Sequence, residues 1–258
     1  MSVREEPWDE GTPCWAELAV PDLERGRRFY GELLGWEFAI GSAETGYYSE
    51  GLVGGRRVAA LNGYRPDPTA PVSWLTFLAA ADTTATAARA TTAGAVALAG
   101  PVDVMGFGRM AVLADPVGVP FALWQAGTSL GAEVVNEPGT MIWNEHMSGD
   151  WTRARDFYTG TFGLTLEDMS APGFDYATLQ RGDRAVGGIG AWDDAPGWQV
   201  YFGVADTDAT TAAAERLGGA VALAPQDSTY GRLAWVVGPF GERFWLMSTD
   251  EASTPAAP

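Results

Sequence analysis

Lysine is absent from this chain: all sixteen basic residues, from Arg4 to Arg243, are arginine. Against 33 acidic residues they leave a formal net charge of -17. Both halves share the excess, with 15 acids against 9 arginines in 1–128 and 18 against 7 in 129–258. Such a field repels phosphate backbones, which excludes nucleic acid as the expected partner and leaves neutral or cationic ligands. Cys14 is the single cysteine, so an internal disulfide framework and cysteine-based zinc sites are excluded. His146 is the single histidine. No apolar run reaches the roughly 18 residues of a membrane span. The opening MSVREEPWDEGTP is acidic and has no apolar core, so the expectation is a cytoplasmic protein with neither signal peptide nor membrane partner. What the chain has is bulk: 258 residues, 47% of them hydrophobic, enough for two domains of about 125 residues, each with its own core.

It also has a repeat. Trp15-Ala16-Glu17, Asp22, Phe29-Tyr30 and Gly35 return as Trp143-Asn144-Glu145, Asp150, Phe157-Tyr158 and Gly163, every pair offset by 128. Trp74 and Ala81-Asp82-Thr83 return as Trp198 and Ala205-Asp206-Thr207 at an offset of 124. Gly108-Arg109, Pro116, Gly118 and Phe121 return as Gly231-Arg232, Pro239, Gly241 and Phe244 at 123. Three blocks in the same order imply two homologous halves. Their junction is placed at the Gly- and Pro-containing stretch near 126–139.

Each half repeats once more, weakly. WAELAVPDLERGRRFYGELLGW reads as a strand, an acid suited to a helix start, then a helix with Leu23, Gly26, Phe29, Tyr30 and Leu33 on one face and Gly35 as its stop. WLTFLAAADTTATAARATTAGAVAL reads the same way around Asp82. Short apolar runs at 46–50, 57–62, 109–114 and 119–125 read as strands. The expected fold class is α+β: four βαβββ units, two per domain. The expected boundaries are an N-terminal tail at 1–11, domain 1 at 12–127, a linker at 128–136, domain 2 at 137–249 and a C-terminal tail at 250–258, with both tails frayed.

The D-x₆-FY-x₄-G pieces (Asp22, Phe29-Tyr30, Gly35; Asp150, Phe157-Tyr158, Gly163), with the closing D-P-x-G-x-x-F of 115–121 and its variant at 238–244, resemble the vicinal oxygen chelate superfamily of glyoxalases, bleomycin-resistance proteins and extradiol dioxygenases. The resemblance spans about residues 12–248. It implies two tandem cup-shaped glyoxalase-like domains, with the ligand on the concave face. Metal-dependent members carry His, Glu or Gln at fixed strand positions. Here those positions fall on Trp15 and Trp143, Leu75 or Thr76, Gln199 or Val200, and Ala122 and Trp245, while 58–62 and 185–189 contain neither Glu nor His. A divalent cation needs several converging N or O donors. The expectation is therefore no metal and no cofactor.

Strand alternation gives each cup a face. Trp15 and Glu17 share one, with Trp124 on the closing strand. In the second half Trp143, Glu145 and Met147 share the corresponding face, with Trp245 and Met247 on the closing strand. Asn144, Gln199 and Tyr201 complete the candidate ligand contacts, and His146, Asn144 and Gln199 make the second cup the more polar, hence the expected seat of chemistry. Glu17 and Glu145 are the sharpest catalytic candidates, because a carboxyl on an apolar wall has a raised pKa and can act as acid or base. Either can equally be a hydrogen-bonding group without chemistry. His146 is the third candidate. Parity points it at the helix layer as a core residue, and only a bulge would bring it beside Glu145. Arg109 and Arg232 either steer an anionic group or pair locally, and Tyr47, Tyr48 and Tyr201 supply hydroxyls or packing.

The leading expectation is a metal-independent protein of specialised metabolism. It acts on a bulky aromatic or polyketide-like small molecule by isomerisation, cyclisation or assistance to hydroxylation, with a glutamate as proton carrier. The alternative is a sequestering or resistance protein that binds a toxic aromatic or cationic metabolite unchanged. A third reading, a metal-dependent lyase or dioxygenase, requires the ligand positions to lie elsewhere. Duplication within one chain supplies what single-domain relatives gain by pairing, so either a monomer or a homodimer is expected.

Overall fold

The computed structural model describes residues 3–194 and 196–248; the expected C-terminal tail lies outside them. The chain forms four βαβββ units in tandem. In the first half these are β1 (Pro13–Ala19), α1 (Leu23–Leu34), β2 (Glu37–Ile40), β3 (Ser49–Val53) and β4 (Arg56–Asn62), then β5 (Trp74–Ala79), α2 (Thr83–Thr92), β6 (Val96–Asp103), β7 (Gly108–Ala114) and β8 (Pro120–Ala126). The second half repeats them as β9 (Met141–Ser148), α3 (Trp151–Phe162), β10 (Thr165–Asp168), β11 (Tyr176–Arg181) and β12 (Arg184–Ala191), then β13 (Gly197–Gly203), α4 (Thr207–Arg216), β14 (Ala220–Ser228), β15 (Gly231–Val237) and β16 (Arg243–Ser248). Each half is one eight-stranded sheet, ordered β2-β3-β4-β1-β5-β8-β7-β6 and β10-β11-β12-β9-β13-β16-β15-β14. The central strands β1 and β5, and β9 and β13, run antiparallel to each other, so the two units of a half are joined edge to edge.

Four aspartates start the four helices. Asp22 accepts from the Arg25 amide, Asp82 from Thr84 and Ala85, Asp150 from Arg153 and Asp206 from Ala209, each satisfying donors that the first turn leaves open. Gly35 and Gly163 end α1 and α3 in the left-handed region, at φ 72° and 64°. Asp82→Ala is expected to cost about 1 kcal/mol, because it frees two amides at one helix start, and should lower the urea midpoint without changing its slope.

The sheets pack through their helix-bearing faces, so the core lies between the domains. Tyr30 on α1 donates to Glu242 of the second domain (2.7 Å), and its repeat, Tyr158 on α3, donates to Asp115 of the first (2.9 Å). Trp36 stacks on Tyr30 and meets Phe202 of β13 edge to face. Its indole nitrogen donates to the Gly139 carbonyl at 2.6 Å.

Two expectations are corrected. Residues 46–50 are not one strand: Gly46 and Tyr47 have φ of 62° and 58°, so they form a turn and pairing begins at Ser49. The N-terminal segment expected to fray is instead a strap. The Arg4 amide bonds to the Glu133 carbonyl, Trp8 to that of Ala132, and Gly11 to that of Ala79, while Asp9 pairs with Arg184 and Glu10 with Arg89. These contacts reach both domains, which sequence composition alone does not reveal. Among the described residues no helix is long and apolar enough to cross a membrane.

Candidate ligand-binding cups

Register defines the concave floor of each cup. In the first, Trp15 pairs with Phe77, Phe77 with Ala122, and Ala122 with Val112, forming one row across β1, β5, β8 and β7. In the second the same row reads Trp143, Tyr201, Trp245 and Trp235. Two residues along the central strand lie Glu17, opposite Leu75 and Ala60, and Glu145, opposite Gln199 and Gly188. Register and alternation place Trp15, Glu17 and Trp124 on the concave face of the first sheet and Trp143, Glu145, Met147, Gln199, Tyr201, Trp245 and Met247 on that of the second.

Asn144 and His146 do not join them. Alternation turns both toward the opposite face of β9. The Asn144 side chain accepts from Thr76 Oγ1 (3.3 Å) and contacts Met141 Sδ at 3.9 Å. His146 is fully buried, with Nε2 2.8 Å from Asp115 Oδ2 and its ring against Tyr158 and Trp198. No bulge swings it into the cup, so the core reading of His146 matches its position. Asn144, expected as a ligand contact, is excluded from the cup by the same alternation that puts Trp143 and Glu145 on the concave face.

Each glutamate sits in a repeated indole, phenol and carboxyl relay. Trp15 Nε1 donates to Tyr48 Oη (3.2 Å), which donates to Glu17 Oε2 (2.7 Å). Trp143 Nε1 donates to Tyr176 Oη (3.1 Å), which donates to Glu145 Oε2 (2.8 Å). The other carboxyl oxygen accepts from Asn62 Nδ2 in the first cup (2.5 Å) and Tyr201 Oη in the second (2.6 Å). Gly188 makes the second relay possible, because an added Cβ there would stand 2.0 Å from the Tyr176 hydroxyl. Tyr176 has no mark in local sequence beyond its offset of 128 from Tyr48, which is the offset of the preceding repeat block. Tyr47 is exposed at its turn. Arg232 pairs with Asp208 and Asp227, the local role weighed for it.

Burial pushes both carboxyls above the usual carboxylate range, and the phenols, with Asn62 in the first cup, restrain the shift. Glu242 is likewise raised, again by burial. An acid whose folded pKa exceeds its unfolded value keeps the native state protonated over that interval. The stability it contributes is complete below the unfolded value and is lost as pH rises through the folded one. Glu145→Gln is therefore expected to flatten the decline in stability as pH rises through the window above the ordinary carboxylate range. Urea midpoints measured across that window read it; a slope equal to wild type would show that Glu145 titrates as an ordinary carboxylate.

The donor set does not fit a metal centre. The floor rows are hydrocarbon and aromatic, each cup brings one carboxylate, and among the described residues no three His, Cys, Asp or Glu side chains converge.

A family model for the Glyoxalase/Bleomycin resistance protein/Dioxygenase superfamily matches residues 14–148 and 145–246. The anthracycline biosynthesis protein DauV of Streptomyces sp. (strain C5) is 36% identical over 267 aligned positions, covering 96% of both chains. DnrV of Streptomyces peucetius, also an anthracycline biosynthesis protein, is 35% identical over 265 positions, covering 96% of both. The putative glyoxylase CFP32 of Mycobacterium tuberculosis is 36% identical over 248 positions, covering 92% of this chain and 95% of that one. Among solved structures, the Mn(II)-bound glyoxalase from Novosphingobium aromaticivorans superposes with a TM-score of 0.65 at 17% identity, covering 96% of this chain and 90% of that one. The 2,3-dioxygenase LapB from Pseudomonas sp. KL28 gives 0.64 at 15% identity, covering 93% of each. At those identities the likeness is one of fold.

Proposed function

Because this chain belongs to the glyoxalase, bleomycin resistance protein and dioxygenase superfamily, we propose that it handles a bulky aromatic, polyketide-like small molecule in specialised metabolism, without a metal, using a cup glutamate as proton carrier. The observation that carries the reading is the relay repeated at Glu17 and Glu145: a desolvated carboxyl, held by a phenol and an indole, on a floor without metal donors. Aromatic walls suit a flat ligand. A carboxyl with raised pKa takes a proton from carbon beside a ketone and returns it to another atom of the same molecule, the requirement of an isomerisation or an aldol-type cyclisation. The relatives named for anthracycline biosynthesis support the substrate class.

Sequestration of the same kind of molecule is the second reading. It is favoured by Glu145, whose two oxygens are already satisfied by Tyr176 and Tyr201. Native mass spectrometry of the purified chain, with elemental analysis of the same sample, tests both. The expected result is a bound organic molecule and no stoichiometric metal. One divalent ion per chain would overturn the metal-independent part. A bound molecule recovered unchanged after prolonged incubation, with no added compound converted, would replace turnover by sequestration.

A further inference from the structure

The two cups share a backbone and differ in what fills them. Where the first has Ala122 and Val112 in its floor row, the second has Trp245 and Trp235. Those indoles stack at 5.6 Å between centroids with planes 16° apart, and Tyr201 continues the stack on Trp245 at 5.2 Å and 6°. Trp192 closes against Trp235 at 5.0 Å. The stack covers most of the second floor: Glu145 is only 6% exposed, and Gln199, Tyr201, Trp235 and Trp245 are buried, while Trp143 at the end of the row is partly exposed. A ring needs about 7 Å between two flanking planes to slip in, so this stack leaves no berth. In the first cup Trp15, Phe77 and the small Ala122 are buried in the floor, while Glu17, Asn62, Leu75, Met110, Val112 and Trp124 remain partly exposed around it.

The rims differ in the same sense. Along the next row of the first cup, Trp124 pairs with Met110 and Met110 with Val102, and the β6–β7 turn beyond carries Met105 and Phe107, 66% and 47% exposed. The corresponding row of the second cup runs from Met247 to Leu233 to Gln226, beside the Arg232 pairs with Asp208 and Asp227. The first lip thus ends in Val102, Met105 and Phe107 and the second in Gln226 and Tyr230, while each carries an Asp–Arg cross-strand pair, Asp103–Arg109 and Asp227–Arg232.

We propose that the first cup alone takes the ligand, that Trp235 and Trp245 fill in the second the space the ligand fills in the first, and that the ligand is a fused multi-ring molecule reaching from Glu17 toward the Val102–Phe107 lip. The inference rests on the aromatic-ligand reading above and adds to it a site, a size and the residues that set both. Four strand spacings and two rows of the sheet separate Glu17 from Val102, well beyond the width of a single ring. The two indoles act as a built-in occupant, which explains how one half keeps the glutamate relay without an open floor.

Two measurements test it. The first needs no ligand: a water-soluble carbodiimide with a small amine labels reachable carboxyls, and peptide mass spectrometry compares Glu17 with Glu145. Glu17 is expected to label ahead of Glu145; equal or reversed rates overturn the asymmetry. The second is calorimetric titration with a dihydroxyanthraquinone, three fused rings, and with catechol, one ring. One anthraquinone is expected per wild-type chain, bound about tenfold or more weaker in Ala122→Trp, with Val112→Trp as the second variant should the first fail to fold. Trp235→Val with Trp245→Ala should raise the count to two. Val102→Ser with Phe107→Ser should weaken the anthraquinone and leave catechol unchanged. Undiminished binding in both floor variants, or two molecules per wild-type chain, overturns the assignment. If no form binds the anthraquinone while Glu17 still labels first, the aromatic-ligand reading falls and the asymmetry of the cups stands.

Discussion

Asp115→Ala is expected to lower the stability of the whole chain by about 3–5 kcal/mol. Asp115 sits in the closing turn of the first domain and is buried. Its Oδ1 accepts from the amides of Val117 and Val119, both at 2.9 Å, which shapes the turn into β8. Its Oδ2 lies 2.8 Å from His146 Nε2 and accepts from Tyr158 at 2.9 Å, both residues of the second domain. Trp198 extends the network by donating to the Tyr158 hydroxyl at 3.0 Å. Alanine leaves the Val117 and Val119 amides and the Tyr158 hydroxyl without this acceptor and takes from the buried His146 Nε2 its partner. Each such group costs about 1–3 kcal/mol, and the costs overlap because the turn can partly relax. For a chain of this size the melting temperature should fall by roughly 6–20 °C. Asp115→Asn, which keeps an acceptor for the turn, should lose less. Because the network joins domains whose cores are continuous, the variant should still unfold in one transition. Two resolved transitions in urea would show that the domains fold independently and that the network does not bind them; a loss under about 1 kcal/mol would mean the cavity admits water.

How much of this was legible in the residues follows from the range of the interactions. The duplication, the four helix-starting acids and the cup faces of Glu17 and Glu145 follow from offsets and alternation, which are local or exactly periodic. Tyr48 and Tyr176 reach their glutamates across sequence separations of 31 residues, and that contact depends on strand register and on the absence of a side chain at Gly188. Trp235 is one of eleven tryptophans. Its stacking on Trp245 rests on the β15–β16 register, which no composition or period reveals. By sequence Asn144 and His146 make the second cup the richer in polar groups. Both belong to the face that packs between the domains, and the remaining polar side chains, Glu145 and Gln199, are buried. Nothing local marks residues 4–11 as a strap, because its anchors, the Ala132 and Glu133 carbonyls, Ala79, Arg89 and Arg184, lie far along the chain.

Glu17→Gln is expected to reduce kcat/KM about 10²–10⁴-fold on the compound that mass spectrometry identifies, while Glu145→Gln stays near wild type. The amide keeps the size of the side chain and an oxygen to accept from Asn62 or Tyr48, so binding should survive and the loss should fall mainly on kcat. Tyr48→Phe separates proton transfer from mere architecture. The Tyr48 hydroxyl donates to the Glu17 carboxyl and restrains the upward shift that burial imposes. Without that donor the charged form loses support, and the pKa of Glu17 must rise further. If Glu17 works as a base, it acts only when ionised, so the rise of kcat/KM with pH should move to higher pH in Tyr48→Phe. If it works as an acid, the fall at high pH should move upward instead. A side chain that only shaped the cup would change the height of the profile and leave both limbs in place. A Glu17→Gln variant with full turnover would remove the carboxyl from the chemistry and leave the first cup as a binding surface.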